Sequence, residues 1–271
     1  DDGTGAAHGD GTGTLIATRT ASLMHHDMRK LVSPQDIAAA ESIARGLAQS
    51  LAYRRSGRRR AARRGDHIHF RRLIRASLST EGEPLTLPRK KRPDRRMRII
   101  ALCDVSGSMT IYARVFLAFL TGLIRADDAT DAWLFHTRLV RISDALRDPD
   151  PLRALNRLSL MADGFGGGSK IGASLAQFAH GPARQCVNSR SVVVILSDGY
   201  DTDPPEALTH ALTRLRKRGG RIIWLNPLKG WKDYAPVTAA MAAALPHLDL
   251  FAAATTLDDL AALGPQLERL T

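Results

Sequence analysis

The stretch Ile99-Ile100-Ala101-Leu102-Cys103, followed at once by Asp104-Val105-Ser106-Gly107-Ser108-Met109, decides how the chain is read. An apolar run that ends on Gly and Ser is a buried strand with a turn at its C-terminal end. Oxygen-bearing side chains collect at that end, and in open α/β sheets that is the edge where ligands bind.

From residue 98 onward strand and helix patterns alternate. The spacing predicts strands over 98–103, 132–136, 139–142, 191–196, 221–225 and 248–251. Helices are expected over 109–125, 152–161, 171–179, 205–218, 237–244 and 257–270, the fourth stopped by Gly219-Gly220. This alternation implies an α/β fold, a Rossmann-like, doubly wound, mostly parallel sheet with helices on both faces. Upstream, Ile37, Ala40, Ile43, Ala44, Leu47 and Leu51 recur at helical spacing after Ser33, a candidate N-cap, and Pro34. A lone helix is marginal, so this one must pack on the domain that follows, on a partner or on a missing N-terminal part. The opening residues are rich in Gly, Thr and Asp and nearly devoid of apolar side chains. The expected division is therefore 1–32 disordered, 33–97 a basic, partly helical arm, and 98–271 the α/β domain.

With 271 residues and 44% hydrophobic content the chain can build a substantial core. Cys103 and Cys186 form neither a disulfide framework nor a CxxC metal pattern, which favours a reducing compartment. A cytoplasmic protein is expected, with peripheral attachment at the inner face of the membrane as the alternative. No run of about 18 apolar residues is seen, so no transmembrane segment is expected. The first residues lack an apolar h-region, so no signal peptide is expected; they also lack Met, and the sequence reads as a piece of a longer protein.

The net charge of +12 is localised, because residues 51–98 hold 17 Lys and Arg against 4 Asp and Glu while the rest of the chain holds 22 against 23. Such runs are usually solvated. Only Tyr53 and Phe70 are aromatic here, so the stacking platforms of single-strand binders are missing, and an acidic protein surface is favoured over nucleic acid. Arg64-Gly65-Asp66 is taken as a chance adhesion tripeptide, and His67-Ile68-His69 as a strand with both imidazoles on one face.

Two further loops bring oxygen to equivalent places. Gly166-Gly167-Gly168-Ser169-Lys170 leads into a helix, and Ser197-Asp198-Gly199 follows a strand. Singly, each piece is an ordinary N-cap, loop or turn. Together Asp104, Ser106, Ser108, Ser169 and Asp198 form a set of hydroxyls and carboxylates suited to a hard cation such as Mg²⁺, with Mn²⁺ or Ca²⁺ as alternatives. If the serines bind directly and the aspartates act through water, the metal keeps much of its charge and seeks an anionic sixth ligand.

The combination DVSGSM, GGGSKIG and LSDGYD resembles the metal-ion-dependent adhesion site of von Willebrand factor A domains. The resemblance implies that Asp104, Ser106 and Ser108 match the DxSxS motif and Asp198 the later aspartate, with Ser169 where the family usually has Thr. Within that superfamily, Phe135-His136-Thr137-Arg138-Leu139, Trp224-Leu225-Asn226-Pro227-Leu228-Lys229-Gly230, Met241-Ala242-Ala243-Ala244-Leu245-Pro246-His247 and the stretch from Arg71 to Pro84 are similar to the CoxE-like bacterial family. That family implies an adaptor beside a MoxR-type AAA+ ATPase, assisting metal-centre assembly in molybdenum hydroxylases such as carbon monoxide dehydrogenase. Its client would supply an Asp or Glu to the metal.

No enzyme motif competes. An aspartate phosphotransferase would want Asp where Ser106 stands, and neither the G-x-S-x-G elbow nor the G-x-x-x-x-G-K-[ST] phosphate loop occurs. His136 and His180, the histidines nearest the site in sequence, belong to no recognised triad. A non-catalytic protein is expected; the alternatives are a basic nucleic-acid-binding protein using residues 54–96 and a metal-dependent hydrolase.

Overall fold

The structure, a computed structural model, describes residues 24, 26–30, 33–52, 54–55, 59–78, 82–83, 86–91, 94–95, 97–148, 169–232 and 234–270. Residues 1–23, the helix expected over 152–161 and Gly166 to Gly168 lie outside the described residues.

Helix α1 (Pro34–Ala52) begins as the sequence implies. Ser33 Oγ accepts the Asp36 N–H at 3.2 Å and Asp36 Oδ2 accepts the Ser33 N–H at 2.9 Å, a reciprocal cap. Two short strands, β1 (Arg54–Arg55) and β2 (Arg60–Ala62), precede β3 (His67–Ile68), α2 (Phe70–Ser77), β4 (Arg89–Lys91) and β5 (Asp94–Arg95). β1 pairs with β5, and β2, β4 and β3 form a small antiparallel sheet. The two imidazoles of His67 and His69 do not share a strand face. His69 ends the strand and caps α2, its Nδ1 accepting the Arg72 N–H at 3.3 Å.

The α/β domain runs β6 (Arg98–Asp104), a 3₁₀ turn at Gly107–Tyr112, α3 (Ala113–Ala126), β7 (Asp131–Phe135), β8 (Leu139–Arg141), α4 (Ser143–Leu146), α5 (Ile171–His180) and α6 (Ala183–Cys186). It continues through β9 (Ser191–Leu196), α7 (Pro205–Lys217), β10 (Arg221–Asn226), α8 (Ala239–Ala244), β11 (Leu250–Ala253), α9 (Leu257–Ala261) and α10 (Leu263–Leu270). The sheet order is β11-β10-β9-β6-β7-β8, parallel except for the antiparallel edge strand β8. The chain builds outward from β6 on one side and from β9 on the other. The order therefore reverses between these two strands, and a crevice opens at their C-terminal ends.

Alternation along the strands sorts the core into two layers. Ile99, Ala101 and Cys103 of β6, with Val192, Val194 and Leu196 of β9, face a layer built by α1, α3, α9 and α10. Ile100, Leu102, Val193, Ile195 and Trp224 face α5, α7 and α8. Of the three places the first helix could pack, it takes the domain that follows: Ala40, Ala44 and Leu47 are buried in the first layer. Within the stretch for which disorder is expected, Met28 is fully buried in the same layer and its N–H donates to Thr255 O at 2.8 Å.

Several boundaries move from their expected places, and three of the shifts have a local cause. The helix after the Asp104 loop starts as a 3₁₀ turn, in which the Met109 N–H donates to Ser106 O at 2.9 Å, three residues back. The last strand starts at Leu250 rather than Leu248, because Asp249 is engaged with β10: its Oδ2 accepts the Ile222 N–H at 2.8 Å. The closing helix breaks at Ala262, since Pro265 has no N–H to bond the carbonyl of residue 261. The stretch Gly107–Ala126 is long and apolar enough to cross a membrane by length and composition. More than half of it is buried inside the domain, and Phe116, Phe119, Leu120 and Leu123 belong to the core.

Candidate metal centre

All five oxygen-bearing residues picked from the sequence lie at the C-terminal edge of the sheet, at the β6/β9 crevice. Asp104 ends β6 with 1% of its surface exposed. Its Oδ1 accepts the Ser106 N–H at 2.9 Å, and its Oδ2 accepts the hydroxyl of Ser169 at 3.4 Å. Ser106 Oγ lies 3.2 Å from Ser108 Oγ, and the Ser108 hydroxyl is hydrogen-bonded to the Asp198 carboxylate. Asp198 Oδ1 also accepts the Tyr200 N–H at 3.1 Å. The five residues thus form one linked array drawn from three separate loops.

Several participants carry no motif signal. Ser197, fully buried, donates to Asp104 Oδ2 at 2.8 Å, while its own Oγ accepts the Gly199 N–H at 3.1 Å. Cys103 pairs with Leu196 in the β6/β9 register, so Asp104 and Ser197 are the next pair along. Strand alternation would have exposed this partner had the neighbour been known. Gly199 takes φ +80, which lets the loop turn sharply after Asp198. Asn226 closes the β10 end, its Nδ2 donating to Asp198 O and to Tyr234 Oη, each at 2.9 Å. The Ser169 loop is held from behind. Asp201 accepts the N–H groups of Ile171 and Gly172 at 2.9 and 2.8 Å, Asp203 accepts that of Ala173 at 2.8 Å, and Thr202 Oγ1 donates to Ser169 O at 2.7 Å. These carboxylates satisfy the first turn of α5.

The histidines have other places. His136 is buried, and its carbonyl accepts the Lys170 N–H at 3.1 Å and the Ser174 hydroxyl at 3.3 Å, tying β7 to α5. His180 lines a cleft with Arg98 and Arg141 at the opposite, N-terminal edge of the sheet.

The electrostatics fit a small hard cation. Burial pushes the Asp104 carboxyl up to about 6; hydrogen bonds from Ser106 and Ser197 restrain the rise and the nearby Asp198 adds to it. Burial likewise raises Asp198 above its ordinary value. Among the described residues, both carboxylates are stabilised by hydroxyls and backbone N–H groups rather than by Lys or Arg. Two desolvated carboxylates facing three hydroxyls offer oxygen donors with an unmet demand for positive charge. The donors gathered here are hydroxyl and carboxylate oxygens, a set that suits a hard divalent cation.

Residues 39–260 match the family described as "VWA domain containing CoxE-like protein". The chain belongs to this family. Among solved structures it is similar to an aerotolerance-related membrane protein from Bacteroides fragilis NCTC 9343, at 12% identity and TM-score 0.41 over 64% of this chain and 97% of that one. It is also similar to proximal thread matrix protein 1 from the mussel byssus with a zinc-occupied MIDAS motif, at 15% identity and TM-score 0.40 over 64% of this chain and 47% of that one. The SpRpn10 VWA domain aligns at 15% identity and TM-score 0.40 over 63% of this chain and 94% of that one. No curated protein matches.

Proposed function

We propose that this VWA domain-containing CoxE-like protein is a Mg²⁺-dependent, non-catalytic protein-interaction adaptor. It works beside a MoxR-type AAA+ ATPase in the maturation or metal-centre assembly of a molybdenum hydroxylase such as carbon monoxide dehydrogenase. The observation that carries the reading is the meeting of Asp104, Ser106, Ser108, Ser169 and Asp198 from three loops at the crevice between β6 and β9. In this reading the three serine hydroxyls hold the cation directly and the two aspartates hold it through water. Mg²⁺ is the preferred occupant, with Mn²⁺ and Ca²⁺ able to use the same oxygens. Held mostly by neutral donors, the cation would keep much of its charge and would supply a binding point for a partner's Asp or Glu. Ser197 and Asn226 act behind the ligands, fixing the Asp104 carboxylate and the Asp198 backbone.

The ATPase and the client rest on the family setting. With α1 packed into the domain, the basic excess lies in residues 51–98, whose arginines suit an acidic protein surface, and the cytoplasm or the inner face of the membrane is where such partners would meet the chain. The test is affinity purification of the tagged full chain from its native host in Mg²⁺ or in EDTA. Wild type should retain an AAA+ ATPase in Mg²⁺ only, and Asp104→Ala should lose it while keeping the wild-type circular dichroism spectrum. Equal retention by wild type and Asp104→Ala in Mg²⁺ would refute the reading.

A further inference from the structure

Among the described residues the exposed large apolar side chains fall into two groups. Phe70, Ile74, Leu78 and Leu87 belong to the arm, whereas Ile111, Tyr200, Trp231 and Val237 all lie on loops at the C-terminal edge of the main sheet. Within the α/β domain, then, exposed apolar surface collects at the edge that carries Asp104 and Asp198. Surface apolar residues scattered singly need no explanation, but their gathering on one functional edge does.

Tyr200, Trp231 and Val237 of the second group frame a cleft of about 460 Å³, lined also by Asp198, Leu228 and Tyr234. Asp198 therefore belongs to both the metal array and the cleft. We propose that the cleft is the second half of the partner-binding site and receives a large apolar side chain of a partner segment whose Asp or Glu completes the metal. The inference rests on the metal-dependent reading above and adds the sequence character of the segment recognised.

Three observations select this occupant. The first is continuity: Asp198 lines the cleft, and an extended chain advances about 3.3–3.6 Å per residue, so a side chain one to three positions from the coordinating carboxylate reaches it. The second is charge: Lys232 also lines the cleft, which complements an acidic segment. The third is preorganisation. The Asn226 amide joins the Asp198 carbonyl to Tyr234 Oη, and the Thr238 hydroxyl donates to Gly199 O at 3.1 Å. The Arg29 guanidinium stands 4.5 Å from the centre of the Trp231 ring, which remains 41% exposed. Rigid aromatic side chains with one face open are the usual anchors of protein interfaces.

The test is selection of a random peptide library against the full chain in Mg²⁺, with elution by EDTA. Enriched peptides should carry Asp or Glu with Leu, Ile, Phe or Trp within about three positions. Trp231→Ala should weaken the best peptide about tenfold or more, a loss of about 1.4 kcal/mol, while Mn²⁺ binding followed by electron paramagnetic resonance stays at the wild-type value. Val237→Asp, at a side chain 83% exposed and so without a packing role, should weaken it by charge repulsion. Enrichment of acidic peptides with no apolar preference, or undiminished binding by both variants, overturns the cleft and leaves the metal reading standing. If EDTA elutes no peptide and Asp104→Ala binds Mn²⁺ as wild type does, both fall.

Discussion

Gly122 and Gly46 make a matched pair in which the same substitution should act in opposite directions. Gly122 is buried in α3 where α1 crosses it, and a Cβ there would stand 2.7 Å from Ala44 Cβ and 2.9 Å from Glu41 Cα. Carbon atoms rest at about 3.5–4.0 Å from one another, so Gly122→Ala requires the two helices to part by roughly 1 Å. Overpacking of this kind costs about 1–3 kcal/mol, and a backbone neighbour that cannot rotate away puts it at the upper end. Replacing Gly by Ala inside a helix returns about 1 kcal/mol, leaving a net loss of about 1–2 kcal/mol. Gly46 lies exposed in α1, where a Cβ would meet nothing within 4 Å, so Gly46→Ala keeps only the helical gain of about 0.5–1 kcal/mol. Urea unfolding followed by tryptophan fluorescence should show a lowered midpoint for Gly122→Ala and a raised one for Gly46→Ala, with unchanged slopes. A Gly122→Ala midpoint at or above that of wild type would refute the packing of α1 as an integral layer of the domain.

Ser197→Ala removes the hydroxyl that donates to Asp104 and accepts from Gly199. It should cost about 1–3 kcal/mol of stability by leaving buried polar groups unpaired, and calorimetric Mn²⁺ binding should weaken; wild-type affinity would show that Ser197 does not orient the carboxylate. At the other edge of the sheet, burial pushes the Asp131 carboxyl up, but hydrogen bonds from Arg141, Arg98 and Ser143 outweigh it and hold the group below its ordinary value. A depressed carboxyl stabilises the fold above its unfolded pKa of about 3.9 and loses that contribution as pH falls through the folded value. Asp131→Asn should therefore be less stable than wild type near neutrality, with the difference shrinking in acid; a gap that is constant with pH would contradict the sign. Burial raises both thiols, Cys186 to about 11 and Cys103 further, so neither should react with a disulfide reagent in the native protein while both should in denaturant. Rapid labelling of the folded chain would place at least one thiol outside the core.

The strand-and-helix order was readable from residue 98 onward because buried parallel strands are continuous apolar runs and their covering helices carry a 3.6-residue stripe. The misplaced boundaries had local causes with weak sequence signals: Asp249 turned inward to bond β10, and Pro265 interrupted a stripe that otherwise continues. His69 reads equally well as a strand residue or a cap, and only the turn into α2 distinguishes them. In the site, Asp104, Ser106, Ser108, Ser169 and Asp198 were legible as motifs, whereas Ser197 and Asn226 were not. A buried serine or asparagine at a strand end looks like any other turn residue until its neighbour is known.

By itself, then, the sequence determined the layer architecture, the edge of the sheet on which oxygen would gather, and the identity of the groups gathered there. In a parallel sheet every strand delivers its C-terminal loop to the same edge, so local pattern suffices for that much. Only the tertiary structure decided which loops meet. Alternation reports the face a side chain takes but not the strand beside it, and the placement of β6 against β9 is a non-local pairing. That pairing seats Ser197 beside Asp104, makes α1 part of the core, and lets Asp198 open onto an aromatic cleft.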